Sequence, residues 1–520
     1  MRHLFVIAIV AACGHDAAEG TTPDAPPDAP SCGMPAAGPA TEHVVTTSGT
    51  VHGVSVGASW KYLGVPFAAP PVGALRFAAP APATCATTEI DASAFGPQCP
   101  QLDANGNYLG AEDCLHVNVW APAAVAAARP VMVWIHGGAN AVGFTSDPLY
   151  DGQHLAEAGD LVVVTVEYRL GQLGFVDHAA LAAESPASGN YGLLDQIAAL
   201  QWVHDNIAGF GGDPANVTVF GESAGGRDTC SVVAAPSAAG LFQCSIIESG
   251  GCGGLPTRAI AEVQGNTFVT AAGCDTASDI PACLRALTAE AVIRAASPDP
   301  SILVSTPYQP TIDGSIQPVQ PSVALAAGTA NHVPFMVGSN AQETGAAVPA
   351  VPDEPTYEQL VTTQFGATLG AKVLTQYPAS SFPTPRAAYV RVTTDARFVC
   401  PSRTIAKNAA AGQTDAVYRY FFEYSDSPVG AVHGLEIPFV FGTFGGILVN
   451  GVPYQPNAAD LAVSAAMEAD WTSFARTGTP AGTPTWPRWD ATDPVRGFTA
   501  TPDVEVGVRT ADCDFWDSLL

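Results

Sequence analysis

Asn216-Val217-Thr218-Val219-Phe220-Gly221-Glu222-Ser223-Ala224-Gly225-Gly226 is the stretch that decides how this 520-residue chain folds. Four of its first five residues, Val217 to Phe220, are β-branched or aromatic and predict a buried strand. Beyond Ser223 the chain reads as a helix. Gly-x-Ser-x-Gly between a strand and a helix is a nucleophile elbow, a turn so sharp that the serine is held in strained backbone geometry. The flanking glycines let the strand and helix backbones approach more closely than a Cβ would allow. The next N–H, on Ala224, then points to where a substrate oxyanion would form. The bare pentapeptide arises by chance in many proteins, so its surroundings carry the argument.

A serine hydroxyl is a poor nucleophile near neutral pH and needs a base, and the base needs a group to orient it. With this elbow the chain order is Ser, then Asp or Glu, then His. Downstream, Val333-Pro334-Phe335-Met336-Val337 predicts a strand running into Gly338-Ser339-Asn340-Ala341-Gln342-Glu343-Thr344. Glu343 therefore falls just past a strand end, where open α/β sheets place their site residues. Val432-His433-Gly434 places His433 in a glycine-adjacent loop. A lone His in a chain with 11 of them is usually structural, and a lone Glu is usually solvated. Two candidates in the required order, each in a fitting loop, outweigh that reading. As a base, His433 is expected to titrate at about 6–7, with activity falling as the pH drops through that range. A further strand, Pro130-Val131-Met132-Val133-Trp134-Ile135, ends in His136-Gly137-Gly138-Ala139-Asn140. A glycine pair there can gather backbone N–H groups into an oxyanion hole, expected from Gly138, Ala139 and Ala224. Without Ser223 the same segment would be an ordinary glycine-rich turn.

With these residues in place the chain resembles the type B carboxylesterases, the α/β-hydrolase family that includes cholinesterases and fungal lipases. The resemblance runs from about Gly64 to about Trp516. Its landmarks are Gly64-Val65-Pro66-Phe67 through Leu75-Arg76-Phe77, Glu112-Asp113-Cys114-Leu115-His116-Val117-Asn118-Val119, Tyr168-Arg169-Leu170-Gly171, Gly192-Leu193-Leu194-Asp195-Gln196, Phe210-Gly211-Gly212-Asp213-Pro214 and Trp486-Pro487. It implies an α/β-hydrolase fold: a central, mostly parallel, twisted sheet flanked by helices, with large insertions. It implies a carboxylic ester hydrolase with Ser223 as nucleophile, Glu343 as acid and His433 as base. Glu222 is implied to sit near the imidazole and help position a water. Arg76–Glu112 and Arg169–Asp195 are implied to be structural ion pairs, and Cys99–Cys114, Cys274–Cys283 and Cys400–Cys513 the family's bridges. Cys32–Cys85 and Cys230–Cys252 are weaker pairings that would leave Cys244 free. The chain departs from the family at Ala139, where a third glycine is usual, and at Asn140, where an aromatic is usual. The Cys99–Cys114 loop holds no tryptophan, and cholinesterases use one there to bind quaternary ammonium. Choline esters are therefore not the expected substrate.

Length alone would suggest several domains. The candidate site draws on residues 136–140, 223, 343 and 433, so one catalytic domain over 41–520 is expected. Its 47% hydrophobic content is ample for a core. A formal charge of −28 excludes nucleic acid partners and disfavours polyanionic substrates. Met1-Arg2-His3 followed by the short apolar run Leu4 to Ala12 reads as an export signal over 1–12. Val10-Ala11-Ala12-Cys13-Gly14 resembles a bacterial lipobox, which makes Cys13 the expected lipid attachment and a bacterial membrane facing the periplasm or exterior the expected address, with a plain secretory signal and secretion as the alternative. The Asp-, Ala- and Pro-rich residues 13–40 read as a disordered tether. Asn216-Val217-Thr218 fits a glycosylation sequon but falls in a strand expected to be buried, and is set aside. No metal-ligand spacing stands out and no cofactor is expected. The expected partner is a small-molecule substrate, a short-to-medium-chain or bulky-alcohol carboxylic ester. Rival readings are a lipase on longer glycerides and a non-catalytic adhesion protein of the same fold.

Overall fold

The computed structural model describes residues 32–33, 35–124, 128–296, 301–303, 307–424, 426, 429–449 and 451–519. Among them, apolar β-branched runs join an eleven-stranded sheet. In chain order its strands are β1 (Val54–Val56), β2 (Ser59–Pro66), β3 (His116–Pro122), β4 (Arg129–Ile135), β5 (Val162–Val166), β6 (Gly212–Glu222), β7 (Cys244–Glu248), β8 (Phe335–Asn340), β9 (Val417–Phe422), β10 (Pro494–Phe498) and β11 (Asp503–Val506). The spatial order is β11-β10-β9-β8-β7-β6-β4-β5-β3-β2-β1. Strands β4 to β10 run parallel to one another, while β1, β2, β3 and β11 add antiparallel edges. The carboxyl ends of β4, β6, β8 and β9 therefore share one edge of the sheet.

Every residue of β4, β5, β7, β8 and β9 is buried, because helices cover both faces of the parallel core. Four of these helices are α1 (Tyr191–Asn206), α2 (Ala224–Ala234), α3 (Cys400–Gly412) and α4 (Ala458–Thr477). The strand period of two divides the side chains between two cores. Val131, Val133 and Ile135 of β4 face Leu200 and Val203 of α1, Val232 of α2 and Ile405 of α3. Met132 and Trp134 face the other way, toward Met467, Trp471 and Phe474 of α4. Each such side chain taken from water contributes about 1.5–3 kcal/mol. Helix α4 starts on a capping box between Asn457 and Asp460 and stops at Gly478, whose φ of 69° reverses the chain.

The expected ion pairs form: Arg76 binds Glu112 through two 2.6 Å hydrogen bonds, and Arg169 binds Asp195 at 2.7 and 2.8 Å. The bridges Cys99–Cys114, Cys274–Cys283, Cys400–Cys513, Cys32–Cys85 and Cys230–Cys252 are all present, and Cys244 is free and buried. One boundary is corrected. Part of the segment expected to be a tether is pinned to the body: Cys32 is bonded to Cys85, Gly38 N–H donates to Ala208 at 3.0 Å, and Ala40 is buried. Its composition is that of a linker, but a disulfide and a backbone bond hold it. The lipobox and Cys13 lie outside the described residues.

Candidate active site

Ser223 stands between β6 and α2 with φ 58° and ψ −118°, the strained geometry expected of the elbow. Its surroundings enforce that geometry. Ser223 N–H donates to Glu248 O at 2.9 Å, and Arg227 N–H donates to Ser223 O at 3.0 Å. Gly225 lets α2 pass directly over β4, since a Cβ there would lie 2.0 Å from the Ile135 carbonyl oxygen. The consequence is a hydroxyl presented at the carboxyl edge of the sheet.

The loops after β8 and β9 bring the other two candidates to it. His433 Nε2 is 2.7 Å from Ser223 Oγ, and Nδ1 is 2.6 Å from Glu343 Oε2. His433 N–H also donates to Glu343 O at 3.1 Å, which ties the two loops together. Glu343 is fully buried and its other oxygen accepts from Asn340 N–H and from Ser249 Oγ, both at 2.7 Å. Phe398 packs against the imidazole with ring centroids 4.9 Å apart.

Three residues here escape sequence reasoning. Ser249, Asn340 and Glu436 form a buried network behind Glu343: Ser249 Oγ lies 3.0 Å from Glu436 Oε1, and Asn340 Nδ2 donates to Glu436 Oε2. Burial, then the charges of Glu222 and Glu343, push the Glu436 carboxyl well above its ordinary range. A protonated Glu436 can donate to Ser249, whose own hydrogen then points at Glu343 and fixes that carboxylate. The only available signals were Glu436 three residues after His433 and Ser249 at the end of a strand.

Glu222 sits 3.2 Å from His433 Nε2, beside the imidazole as the resemblance implies. Burial pushes Glu222 up to about 7, against the pull of His433. The surroundings of His433 favour a value above the expected range of about 6–7. Burial alone would lower His433, but the charges of Glu222 and Glu343, the Glu343 hydrogen bond and the charge of Glu436 outweigh it and raise it to about 10. A protonated imidazole cannot accept a proton, so with His433 as the expected base a raised value is expected to place the acid limb of kcat/KM above the pH of an unperturbed histidine. Glu222→Gln removes one of the charges that favour the imidazolium. It is expected to move that limb to lower pH by about one unit or more. A pH–rate profile of the variant with an unchanged or upward-shifted limb would contradict this electrostatic role.

The loop after β4 carries Gly138 at φ 105°, Ala139 at φ 58° and Asn140 at φ 55°. A Cβ on Gly138 would lie 2.0 Å from Val142 O, so glycine is required there. Asparagine tolerates the left-handed region, which accounts for Asn140 in place of an aromatic. Its side chain is buried, donating to Asp228 at 3.0 Å and accepting from Tyr168 at 3.2 Å, so it anchors the loop from behind. The N–H groups of Gly138, Ala139 and Ala224 donate to no acceptor among the described residues. Ala139, Ala224 and Ser223 line one cavity of about 770 Å³.

A serine, histidine and glutamate joined by hydrogen bonds at the carboxyl edge of a parallel sheet, beside backbone N–H groups with no acceptor among the described residues, define an α/β-hydrolase with a candidate catalytic triad. Residues 40–516 match the model of the carboxylesterase family. The chain is 36% identical to para-nitrobenzyl esterase of Bacillus subtilis (strain 168) over 465 residues, 85% of this chain and 91% of that protein. It is 37% identical to fumonisin B1 esterase of Sphingopyxis macrogoltabida over 472 residues, 87% of this chain and 85% of that one. Among solved structures it is similar to a thermophilic PNB esterase, with TM-score 0.80, 34% identity and 91% and 99% of the two chains covered. It is also similar to a Geobacillus stearothermophilus carboxylesterase, with TM-score 0.80, 31% identity and 92% and 100% covered. The chain belongs to the carboxylesterase family and is a carboxylic ester hydrolase.

Proposed function

We propose that the protein hydrolyses carboxylic esters through an acyl-enzyme on Ser223. The observation that carries this reading is the continuous hydrogen-bonded line Ser223 Oγ, His433 Nε2, His433 Nδ1, Glu343 Oε2, with spacings of 2.7 and 2.6 Å. His433 takes the Ser223 proton as Oγ attacks the ester carbonyl carbon. Negative charge then gathers on the carbonyl oxygen, where the Gly138, Ala139 and Ala224 N–H groups are proposed to hold it. His433 passes its proton to the departing alkoxide, and the alcohol leaves. A water, deprotonated by the same imidazole beside Glu222, then attacks the acyl carbon and frees Ser223. Glu343 orients the imidazole and stabilises its charge.

The substrate we propose is a short-to-medium-chain or bulky-alcohol ester. A cavity of about 770 Å³ with Phe365, Leu369 and Trp516 in its walls supports an apolar group of that size. A p-nitrophenyl ester series tests it, with turnover expected to peak at short or medium chains. A maximum at long chains, rising further on emulsified glycerides, would favour a lipase, and no turnover at all a non-catalytic protein.

The Ala139 methyl lies in that cavity on a left-handed backbone. Ala139→Gly is therefore expected to raise tert-butyl acetate turnover more than n-butyl acetate turnover. Ala139→Pro, which loses the N–H, is expected to lower kcat for both by about 10²–10³. If the proline variant hydrolyses n-butyl acetate like the wild type, Ala139 contributes no donor.

Export with lipid on Cys13 is proposed as the protein's address. The bridges Cys32–Cys85, Cys99–Cys114, Cys230–Cys252, Cys274–Cys283 and Cys400–Cys513 support an oxidising compartment. Labelled palmitate should enter the wild type and not Cys13→Ser; equal labelling would refute it.

A further inference from the structure

Asn140 is one end of a buried tie that reaches the nucleophile's own helix. Its Nδ2 donates to Asp228 Oδ1 at 3.0 Å, and Gln196 Nε2 of α1 donates to Asp228 Oδ2 at 2.7 Å. Asp228 lies on α2, one turn along from Ala224. All three side chains are buried. Among the described residues no other hydrogen bond joins residues 136–140 to α2.

The tie matters because the candidate oxyanion donors come from two separate elements. The Ala224 N–H stands at the start of α2, and the Gly138 and Ala139 N–H groups stand on the loop after β4. Such donors stabilise an oxyanion only where they converge on it at about 2.7–3.1 Å. Helix α2 is fixed against the sheet by the close approach of Gly225 to the Ile135 carbonyl. The loop is not held by its own preferences. Ala139 and Asn140 have φ of 58° and 55°, a region that a Cβ resists, and such backbone persists only where its surroundings over-determine it. Gly171 N–H donates to Asn140 O at 2.6 Å, and Tyr168 OH donates to His136 O at 2.8 Å and to Asn140 Oδ1 at 3.2 Å. Those bonds tie the loop to the segment after β5. Asp228 alone ties it to the helix that carries the third donor. Burial pushes Asp228 up to about 6, against the Gln196 and Asn140 hydrogen bonds and the charge of Arg227. At neutral pH it is therefore a carboxylate, and both its oxygens accept. Neither Asn140 nor Asp228 is in the cavity wall, so neither acts by touching what the cavity holds.

We propose that Asp228 is a positioning residue for ester hydrolysis. Through Asn140 it sets the Gly138 and Ala139 N–H groups in register with that of Ala224, so that the three meet one oxyanion. The inference rests on the ester-hydrolase reading above.

A pair of ketones tests it. With 1,1,1-trifluoro-2-octanone, Ser223 Oγ adds to the carbonyl carbon, the serine proton passes to His433 and the carbonyl oxygen becomes the oxyanion. 2-Octanone binds as the unreacted ketone. The readout is the ratio of their inhibition constants, which does not depend on how much of a sample is active. Asn140→Gly removes the tie and suits the left-handed backbone, so it is expected to fold. It is expected to lower kcat/KM for p-nitrophenyl acetate by about 10–100-fold and to weaken the trifluoroketone by about tenfold or more, with 2-octanone within about twofold of wild type. Asp228→Ala is expected to behave alike, and the double variant to lose no more than the larger single loss, since both changes break one tie. Asp228→Asn is expected to recover most of the loss. It keeps an oxygen for Asn140 and turns its NH₂ to Gln196, whose Oε1 has no partner among the described residues and accepts once that amide turns over. If Asn140→Gly keeps the wild-type ratio of inhibition constants, or if the losses add in the double variant, the positioning role is refuted while the esterase reading stands. If the wild type turns over no ester, both fall.

Discussion

Ser223→Ala is expected to lower kcat for a p-nitrophenyl ester by on the order of 10⁴–10⁶ while leaving the protein folded. Removing Oγ removes the atom proposed to form the acyl-enzyme, so no increase in His433 basicity can compensate. What is expected to remain is the contribution of the proposed oxyanion donors, the N–H groups of Gly138, Ala139 and Ala224, a residual of about 10³–10⁴ over the uncatalysed rate. Alanine costs the fold little, because Ser223 Oγ bonds His433 alone among the described residues. The elbow's strain is a property of the backbone and is held by Glu248 O and by the contact of Gly225 with β4. Steady-state kinetics on material with wild-type circular dichroism checks it, and turnover within tenfold of wild type would end the nucleophile assignment.

Glu343→Gln is expected to cost about 10⁴ in kcat, nearly as much as losing the nucleophile, with the fold again intact. The reason is the tautomer. Glu343 accepts from Asn340 N–H and Ser249 Oγ through Oε1 and presents Oε2 to His433 Nδ1. A glutamine in that place keeps its carbonyl oxygen on the two donors and turns its NH₂ toward Nδ1. The imidazole must then accept at Nδ1 and carry its proton on Nε2, facing Ser223, where it cannot act as a base. The imidazolium also loses its buried counter-charge. Kinetics of the purified variant, with the wild-type melting profile as a control, give the test; full activity would mean that another carboxylate orients His433.

Much of this arrangement was readable along the chain because it is local. Val131 to Ile135 and Val217 to Phe220 are continuous apolar runs, and a buried parallel strand is one of few places such runs fit. The elbow is a single pentapeptide whose two glycines have steric jobs that survive inspection, as at Gly225. Glu343 and His433 were recognisable because strand ends and glycine-flanked loops are themselves local features. What escaped was made by tertiary contact. Ser249, Asn340 and Glu436 are ordinary polar residues until three separate loops bring them together behind Glu343. The upward shift of His433 comes from that same convergence of buried carboxylates, which an isolated-histidine value leaves out. The segment up to Ala40 has the composition of a tether; the Cys32–Cys85 pairing hinted that it is held, and the bond from Gly38 N–H to the Ala208 carbonyl is a tertiary contact that the sequence does not announce.

The most direct test of the central claim is covalent. The protein is incubated with diethyl p-nitrophenyl phosphate, and the intact mass and the modified peptide are determined. Phosphorylation requires a hydroxyl activated by a neighbouring base and an oxyanion held by donors, which are the features ascribed to Ser223, His433 and the Gly138–Ala139 loop. One diethylphosphoryl group per chain, located on Ser223, absent from Ser223→Ala and accompanied by loss of ester turnover, is the predicted result. An unlabelled wild type, or a label on any other residue with turnover retained, would contradict it.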